Sequence, residues 1–364
     1  MRIILHIGTH KTGTSSIQNV CHKMRATLLE QGILYPTITP YNRHSILVTP
    51  YVEKLPREFA RHFNKNKDLA NTFAYRMWEE IKNEISENVK LDTIVLSSEH
   101  FANAVDVSGF LDQIHYIAPN CEIDILCYLR RPDDRYLSGI QQKLKGTYKL
   151  NWPQNEDLLP DLHKWDGAGR LNLTEFNRSK LLDGDVVSDF LNFIGAKISR
   201  RAWAHLGAEN ISLSAEAMAA VIYYRKNVLP HENGLMSPEV NRLMKIMKNV
   251  SAYLPKHLQP KKPQLRPDIR LAALVATQNR LATLRDDFGF EFSDKSIYNF
   301  AEINEAFSKT VLLQSKRPQL HNLIDYDPDK LVALQSATIA HILGKKIQPK
   351  KENSKSDIQM DRLT

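Results

Sequence analysis

Short apolar runs alternate with helical stretches in the first half of the chain, and this alternation limits the folds open to it. Residues 2–7, 93–96 and 123–129 are apolar runs of strand length. Residues 66–89 and 107–117 lie between these runs and carry apolar side chains at helical spacing. We therefore predict an α/β fold, a parallel β-sheet flanked by helices, whose ligands bind beyond the carboxyl ends of the strands.

The second half of the chain lacks such strand signals. Helical composition is found in residues 215–224, 240–247, 269–285 and 331–343. Residues 255–267 are rich in proline and lysine, which predicts an extended linker or a surface loop. We predict an α/β domain over residues 1–195 and a helical C-terminal extension over 196–344, which covers a substrate cleft or forms an interface. Residues 345–364 are predicted to be a basic, disordered tail.

The chain carries a net charge of +8 at pH 7, so its surface should attract anions such as nucleotides, glycans, nucleic acid or an acidic membrane. No zinc-finger spacing, RNP-like aromatic motif or helix-turn-helix pattern supports nucleic-acid binding. The three cysteines show neither a CxxC pair nor metal-ligand spacing, which favours a reducing compartment. No signal-peptide core and no apolar run of about 18 residues is found. We therefore expect a cytoplasmic protein without a transmembrane segment.

The segment between the first predicted strand and the next helix has the composition of an anion-binding loop. Residues 8–15 are mostly glycine, threonine and serine. A strand, a turn and a helix in this order point backbone N–H groups and the helix dipole at an anion, so a phosphate would fit there. The two glycines have the spacing of a nucleotide P-loop, but that motif needs lysine where this chain has Thr14. Lys11 lies at the apex of the loop instead.

Residues 6–18, around this loop, resemble the 5'-phosphosulfate-binding loop of sulfotransferases that use 3'-phosphoadenosine-5'-phosphosulfate (PAPS), above all the bacterial members. The resemblance implies a P-loop-like sulfotransferase fold. It also implies that Lys11 stabilises the oxygen that bridges phosphate and sulfur. The residues expected to bind the sulfuryl donor are His10, Lys11, Thr12, Gly13, Thr14, Ser15 and Ser16. For His10, simple packing within the loop is an equal alternative.

A second segment, at the end of the third predicted strand, is similar to the 3'-phosphate-binding element of the same family. That element has an arginine at the strand end and a serine eight positions later, and Arg130 and Ser138 occupy those places. Arg131 stands where the family often has asparagine, so either arginine could grip the phosphate. Residues 173–191 look like a third stretch of bacterial sulfotransferases, and the resemblance spans residues 2–195.

Sulfuryl transfer is an in-line displacement in which positioning and electrostatics supply most of the catalysis. The acceptor must lose a proton to a general base within hydrogen-bond reach. Glu99 is the first candidate for this base, because it lies in a turn that resembles the corresponding bacterial segment and glycan sulfotransferases use a glutamate base. His100 is the second candidate, because cytosolic sulfotransferases use a histidine. Both residues also have purely structural alternatives. Glu99 could cap a helix or form a salt bridge, and Arg130 could pair with Asp133 or Asp134. His44 lies where an acceptor-binding loop is expected.

Together these features predict a sulfotransferase that moves a sulfuryl group from PAPS to a hydroxyl or amine acceptor and releases adenosine 3',5'-bisphosphate, without a metal. The acceptor stays open among carbohydrates, polysaccharide precursors, lipids and small metabolites, and so does the oligomeric state. One alternative is a kinase-like P-loop phosphotransferase, because the strand that ends near Glu99 could mimic a magnesium-holding strand. The other is a non-enzymatic protein that binds polyanions through its basic surface.

Overall fold

A five-stranded parallel β-sheet lies at the centre of the fold. In the computed structural model its strands are β1 Arg2–His6, β2 Ile33–Leu34, β3 Thr93–Ser97, β4 Glu122–Leu129 and β5 Arg170–Glu175. They lie in the order β2-β3-β1-β4-β5, and every neighbouring pair is parallel. The predicted α/β fold with a parallel sheet is confirmed. The structure describes residues 1–38, 43–88, 90–153, 158–206, 212–310 and 317–345.

β1 is buried on both faces because its three central side chains are apolar. Ile3 and Leu5 belong to one hydrophobic cluster and Ile4 to the other, and all three are fully buried. Ile3 is paired with Ile94 of β3 on one side and with Ile123 of β4 on the other. β1 is therefore the central strand of the sheet.

The path of the chain across the sheet decides where the loops meet. The chain runs from β1 outward to β2, returns to β3 on one side of β1, and then crosses to β4 on the other side. Because β1, β3 and β4 are parallel, the loops that follow them emerge at the same edge of the sheet. The loop after β1 is thus flanked by the loops after β3 and β4, at the kind of switch point where α/β proteins bind ligands.

α-Helices alternate with these strands. They are α1 Thr14–Lys23, α2 Arg25–Leu29, α3 Arg57–His62, α4 Lys67–Glu87, α5 Val107–Ile117, α6 Pro132–Lys143, α7 Val186–Phe193 and α8 Arg200–Trp203. Short 3-10 helices lie at Ser45–Tyr51, Phe101–Asn103, His163–Trp165, Leu182–Gly184 and Ala204–Leu206. Asn66 and Asp106 cap α4 and α5 by accepting backbone N–H hydrogen bonds, which is why both helices begin close to their predicted starts.

Helices cover both faces of the sheet. On one face, Ile17 of α1 and Phe190 of α7 pack in the cluster that contains Ile4. On the other face, the ring of Phe110 from α5 lies 5.7 Å from Trp78 of α4 and 5.1 Å from Phe101. This aromatic group fills the space between α4, α5 and the sheet.

The C-terminal region is helical, as predicted. Its α-helices are α9 Ala215–Asn227, α10 Pro238–Ser251, α11 Pro267–Val275, α12 Gln278–Asp286, α13 Phe300–Ser308, α14 Leu320–Leu323 and α15 Pro328–Ile342, and its 3-10 helices are Pro230–Glu232, Lys256–Leu258 and Lys295–Tyr298. Residues 269–285 are helical as predicted, in two helices, α11 and α12, that are separated at Ala276 and Thr277. The hydroxyl of Thr277 donates there to the carbonyls of Ala273 at 2.8 Å and Leu274 at 3.2 Å. No described helix is long and apolar enough to cross a lipid bilayer.

The described residues form two compact units. The sheet unit contains those of Met1–Ser138, Pro153–Asn210 and Arg270–Thr310, and the helical unit contains those of Gly139–Trp152, Ile211–Ile269 and Val311–Thr364. The boundary predicted at residue 195, between a donor-binding domain and a helical extension, stays a prediction. Part of the chain beyond it, Arg270–Thr310, belongs to the sheet unit. Residues 346–364, which make up almost all of the predicted basic tail, lie outside the described residues.

Two charged side chains, Arg225 and Glu216, are buried within the helical unit and form hydrogen bonds with backbone groups. Arg225 on α9 is fully buried, and its guanidinium donates to the carbonyl oxygens of Lys145, Gly146, Glu232 and Leu235. Glu216, also buried, accepts hydrogen bonds from the N–H groups of Lys261 at 2.8 Å and Asp327 at 3.3 Å. A buried charge without such partners would be strongly unfavourable. These bonds therefore attach α9 to several loops of its own unit.

Replacing Phe110 by alanine should destabilise the protein strongly, because the ring is fully buried among other aromatic side chains. We expect Phe110→Ala to lower the free energy of unfolding by about 3–5 kcal/mol, measured by urea unfolding. Val105→Ala is the control, since Val105 is 65% exposed and should change stability by less than about 0.5 kcal/mol. Equal effects of the two substitutions would contradict this account of the core.

Candidate functional site

Two glycines let the loop after β1 approach its neighbours closely. Gly8 has a φ of 101°, and a Cβ atom there would lie 2.9 Å from the Cα of Glu99. Gly13, which caps α1, has a φ of 83°, and a Cβ atom there would lie 2.5 Å from Cγ1 of Val186. Both positions need glycine, since other residues rarely adopt these φ values and the space is already filled. The loop therefore lies directly against the residue that follows β3 and against the start of α7.

β4 holds the other side of the loop. The N–H of Thr9 donates to the carbonyl of Tyr128 at 3.1 Å, and the N–H of Tyr128 donates to the carbonyl of Gly8 at 2.8 Å. Within the loop, the hydroxyls of Thr12 and Thr14 donate to the carbonyl of Thr9 at 2.6 and 3.4 Å. Both threonines are buried. Their hydroxyls thus stabilise the backbone of the loop itself.

The other predicted donor-binding residues lie at the loop apex and in the first turn of α1. Lys11 at the apex has a φ of 70°, a left-handed conformation that costs a residue with a side chain about 1–2 kcal/mol. His10, Lys11, Gly13 and Ser16 are partly exposed, and Ser15 is exposed. α1 begins without a side-chain cap and without an acidic residue in its first turn. Its N-terminus is therefore open to an anion.

The two arginines that follow β4 have different partners. Nη1 of Arg130 donates to the carbonyl oxygen of Lys11 at 3.3 Å. Arg131 instead binds Asp133 through two hydrogen bonds of 3.0 and 2.7 Å and also pairs with Asp294. No carboxylate in the described parts of the chain forms an ion pair with Arg130. Arg130 is thus the cation in contact with the loop, while aspartates compensate the charge of Arg131.

Arg130 keeps its charge although it is half-buried. Burial lowers its pKa, while the charges of Asp134 and Asp133 raise it, and arginine starts from a value above about 12. Ser138, the predicted partner of Arg130, is half-buried on α6, about 9 Å along the helix axis from Pro132. Arg130 therefore lies directly after β4, and Ser138 lies within the helix that follows.

Glu99 lies on the β3 side of the loop. Its side chain is 15% exposed, and its Oε1 is 4.0 Å from Nδ1 of His10. Its Oε2 is buried and has no hydrogen-bond partner among the described residues. Burial acts to raise the pKa of Glu99, but His100, its own backbone N–H, His10 and Arg43 outweigh burial and hold the pKa below its usual value. Glu99 is therefore a carboxylate at neutral pH, and no described residue donates a hydrogen bond to its Oε2.

His100, the second candidate base, is a neutral imidazole at pH 7. Burial, aided by His10 and Arg43 and opposed by Glu99, lowers its pKa to about 4. Its ring lies 5.1 Å from the ring of His10, centre to centre, and its Nε2 is 3.7 Å from Oε1 of Glu58. The structure thus brings both candidate bases together, each in its proton-accepting form.

Arg43 and Glu58 complete this cluster, and neither was predicted from the sequence. Nη2 of Arg43 donates to Oε2 of Glu58 in an ion pair. Burial raises the pKa of Glu58, Arg43 opposes the rise, and Glu99 adds to it. The pair lies between β2 and β3, where no motif marks it. The only available signal was the position of Arg43 beside His44.

His44, the predicted substrate-binding residue, is fully buried. Its Nδ1 accepts a hydrogen bond from the N–H of Ser97 at 2.9 Å, so its Nε2 carries the proton and donates to the carbonyl of Pro36 at 3.0 Å. Burial lowers its pKa to about 4. Both ring nitrogens are thus used to join the end of β3 to the preceding segment. Its neighbour Arg43, rather than His44, reaches the Glu99 cluster.

These contacts place an arginine on one side of the glycine-rich loop and a carboxylate on the other. The N-terminus of α1, Lys11 and Arg130 can bind an anion. Glu99 can take a proton from a hydroxyl or an amine. Chemically, such a site can transfer an anionic group to a nucleophile that must lose a proton.

Comparison of the chain with models of known protein families, with curated proteins and with solved structures finds no match. The resemblance to sulfotransferases therefore rests on the sequence segments themselves. Within the described ranges, no group of three or more histidine, cysteine, aspartate or glutamate side chains is placed so that it could hold a metal ion.

Acidification should destabilise the protein through its buried histidines. Mainly because of burial, the pKa values of His6, His44 and His100 are about 4, below the value of about 6.5 expected in an unfolded chain. Protons therefore bind the unfolded chain more tightly, and stability that is complete above about pH 6.5 is lost as the pH falls toward 4. Urea unfolding should show a loss of about 2 kcal/mol per histidine between pH 7.5 and pH 5.0.

The matched test compares two histidine substitutions. In His44→Gln the loss between pH 7.5 and pH 5.0 should be smaller by about 2 kcal/mol, because one buried histidine is gone. In His62→Gln the loss should equal that of the wild type, since His62 is exposed. An unchanged loss in His44→Gln would show that burial of this histidine does not control acid stability.

Proposed function

We propose that this chain is a PAPS-dependent sulfotransferase, which transfers a sulfuryl group to a hydroxyl or amine acceptor and releases adenosine 3',5'-bisphosphate. The observation that carries the proposal is the hydrogen bond from Arg130 to the carbonyl oxygen of Lys11, at 3.3 Å. It joins two segments that resemble the 5'-phosphosulfate-binding and 3'-phosphate-binding elements of one family and that lie 119 residues apart in the chain. A single nucleotide can bridge such elements only when they are adjacent.

The residues present fit an anionic sulfuryl donor. Lys11 and the first-turn N–H groups of α1 would hold its 5'-phosphosulfate, because α1 begins with an uncapped, glycine-lined turn and no acidic side chain. Arg130 would hold the ribose 3'-phosphate, with Ser138 as its predicted partner. Arg130 suits this role because it is half-buried, charged and without a carboxylate ion-pair partner among the described residues.

PAPS supplies an activated sulfuryl group whose leaving phosphate gains negative charge. The Lys11 ammonium would stabilise that charge, an interaction that is stronger in the transition state than in the ground state. Glu99 would accept the proton of the acceptor O–H or N–H while the new bond to sulfur forms and the bond from sulfur to the phosphate oxygen breaks. The Oε2 of Glu99 accepts no hydrogen bond from the described residues, so the carboxylate keeps a free acceptor. His100 remains the second candidate for the base.

The reaction is placed in the cytoplasm in this proposal. Cys21, Cys121 and Cys127 are all free thiols, and two of them are buried. Free thiols in a protein of this size are typical of a reducing compartment. A carbohydrate is the first acceptor class to test, since its hydroxyls can donate to the Glu99 carboxylate.

Arg130 should control the recognition of the 3'-phosphate. We expect Arg130→Ala to weaken the binding of adenosine 3',5'-bisphosphate by about 10- to 100-fold, the scale of a hydrogen bond to a charged group. Binding of adenosine 5'-monophosphate, which lacks that phosphate, should change by less than about twofold. Calorimetric titration of both nucleotides measures the two affinities.

The control for this titration is Arg170→Ala. This substitution removes the same charge, but Arg170 is 71% exposed and pairs with Asp124 near the opposite, amino end of the sheet. It should leave both affinities unchanged. Equal affinity of the wild type for the two nucleotides would contradict the sulfotransferase proposal. Hydrolysis of ATP or GTP with magnesium would favour the phosphotransferase alternative.

Lys11 and Glu99 should affect turnover far more than donor affinity. Lys11→Ala and Glu99→Gln should each lower the release of adenosine 3',5'-bisphosphate from PAPS by about 100-fold or more, assayed with a panel of carbohydrate and amine acceptors. Affinity for the bisphosphate should stay within about threefold of the wild type. Glu122→Gln is the control, because Glu122 is exposed at the amino end of β4. Full turnover in Glu99→Gln would move the base to His100.

A further inference from the structure

A segment from the second half of the chain contacts the carboxyl edge of the sheet beside Arg130. Residues 292–297, here called the strap, lie between α12 and α13. Phe292 and Ile297 fix the strap to the hydrophobic core of the sheet unit. Between these two anchors, Ser293 and Asp294 face the ends of β5 and β4. The strap is therefore attached to the core of the sheet unit near both of its ends.

Ser293 holds the end of β5. Its N–H donates to Oε2 of Glu175 at 2.8 Å, and its hydroxyl donates to Oε1 at 3.1 Å. Glu175 is the last residue of β5, and the next residue, Phe176, donates its N–H to the carbonyl of Leu129 at 2.7 Å. The ring of Phe176 lies 5.6 Å from the guanidinium of Arg130. Ser293 thus binds Glu175, which directly precedes the residue against which Arg130 packs.

Asp294 holds the other neighbour of Arg130. It pairs with Arg131, whose remaining nitrogens bind Asp133 in two hydrogen bonds. Asp133 is buried and also pairs with Arg270 at 3.1 Å, so the carboxylates of Asp133 and Asp294 balance the charges of two arginines. Arg131 stands between Arg130 and the start of α6, so fixing its side chain also fixes the turn from which Arg130 projects.

We propose that the strap is a positioning element for Arg130, with Asp294 as its main positioning residue. Asp294 holds Arg131, which follows Arg130 in the chain, and Ser293 holds Glu175, whose neighbour Phe176 packs against Arg130. The guanidinium of Arg130 is thereby directed at the loop apex, where it meets the carbonyl of Lys11. This inference rests on the proposed function, since the ligand positioned in this way is the 3'-phosphate of the sulfuryl donor.

Positioning and simple electrostatics predict opposite signs. Removing the charge of Asp294 adds one net positive charge near an anion-binding arginine, which by Coulomb attraction alone would tighten the binding of a bisphosphate. If Asp294 acts by positioning, the same change weakens that binding, because Arg130 loses its preferred direction. The sign of the effect therefore separates the two explanations.

The test is calorimetric titration of Asp294→Asn with adenosine 3',5'-bisphosphate and with adenosine 5'-monophosphate. We expect the bisphosphate to bind about tenfold more weakly, the scale of one hydrogen bond between charged groups, and the monophosphate to change by less than about twofold. Asp294→Glu should restore most of the bisphosphate affinity, because it keeps the ion pair. Asp286→Asn is the charge-matched control, since Asp286 is exposed and pairs only with its neighbour Arg285 among the described residues, and it should change neither affinity.

A double substitution shows whether Asp294 acts through Arg130. In the Arg130→Ala background, Asp294→Asn should change bisphosphate affinity by less than about twofold, because the residue to be positioned is absent. Ser293→Ala removes one hydrogen bond and no charge. It should weaken bisphosphate binding in the same direction and so tests the strap even if Asp294→Asn fails to fold.

Several results would overturn the inference. The first is bisphosphate binding that is tighter or unchanged in Asp294→Asn. The second is an equal loss of affinity for both nucleotides in that variant. The third is a loss of bisphosphate affinity on Asp294→Asn that is as large in the Arg130→Ala background as in the wild type. The wild-type titration separates this outcome from failure of the proposed function. A wild type that does not prefer the bisphosphate overturns both proposals, whereas a preference that survives Asp294→Asn overturns only the role of the strap.

Discussion

The position of β1 between β3 and β4 is the constraint on which the rest of the site depends. A strand that is apolar on both faces is most stable inside a sheet, where neighbouring strands satisfy both of its edges. With β1 in this position, the glycine-rich loop lies between the residues that follow β3 and β4. The loop consequently meets Glu99 on one side and Arg130 on the other. On an edge strand the same loop would have met only one of them.

The division of charge across the loop matters for the proposed chemistry. Cations beside the loop can bind an anionic sulfuryl donor, but a cation close to the general base also makes that base weaker. Arg43 and two histidines already hold the pKa of Glu99 below its usual value. The basicity that remains depends on burial and on the unpartnered Oε2. Arg130 lies on the β4 side of the loop, in contact with the carbonyl of Lys11. Its charge is therefore close to the residues proposed to bind the sulfuryl donor and on the other side of the loop from Glu99.

The late segment Arg270–Thr310 belongs to the unit that contains the sheet, although nothing in its sequence marks it as part of a site. Its contacts with the sheet edge join residues that are far apart in the chain: Asp294 pairs with Arg131 across 163 positions, and Ser293 binds Glu175 across 118. Such pairs depend on the path of the whole chain. A support for Arg130 therefore comes from a part of the protein that local patterns describe only as helical.

The sequence by itself determined the features that depend on neighbouring residues: the buried strand β1, the glycine turn, the helices α4 and α5, and the placement of Lys11, Glu99 and Arg130 after strand ends. Hydrophobic period, caps and φ preferences are local properties, so they can be read from a short window. Only the tertiary structure decided which arginine meets the loop and that His44 is buried. It also decided that β5, whose sequence mixes polar and apolar residues, pairs with β4. Burial and ion pairs depend on groups brought together over long separations, and no local pattern records them.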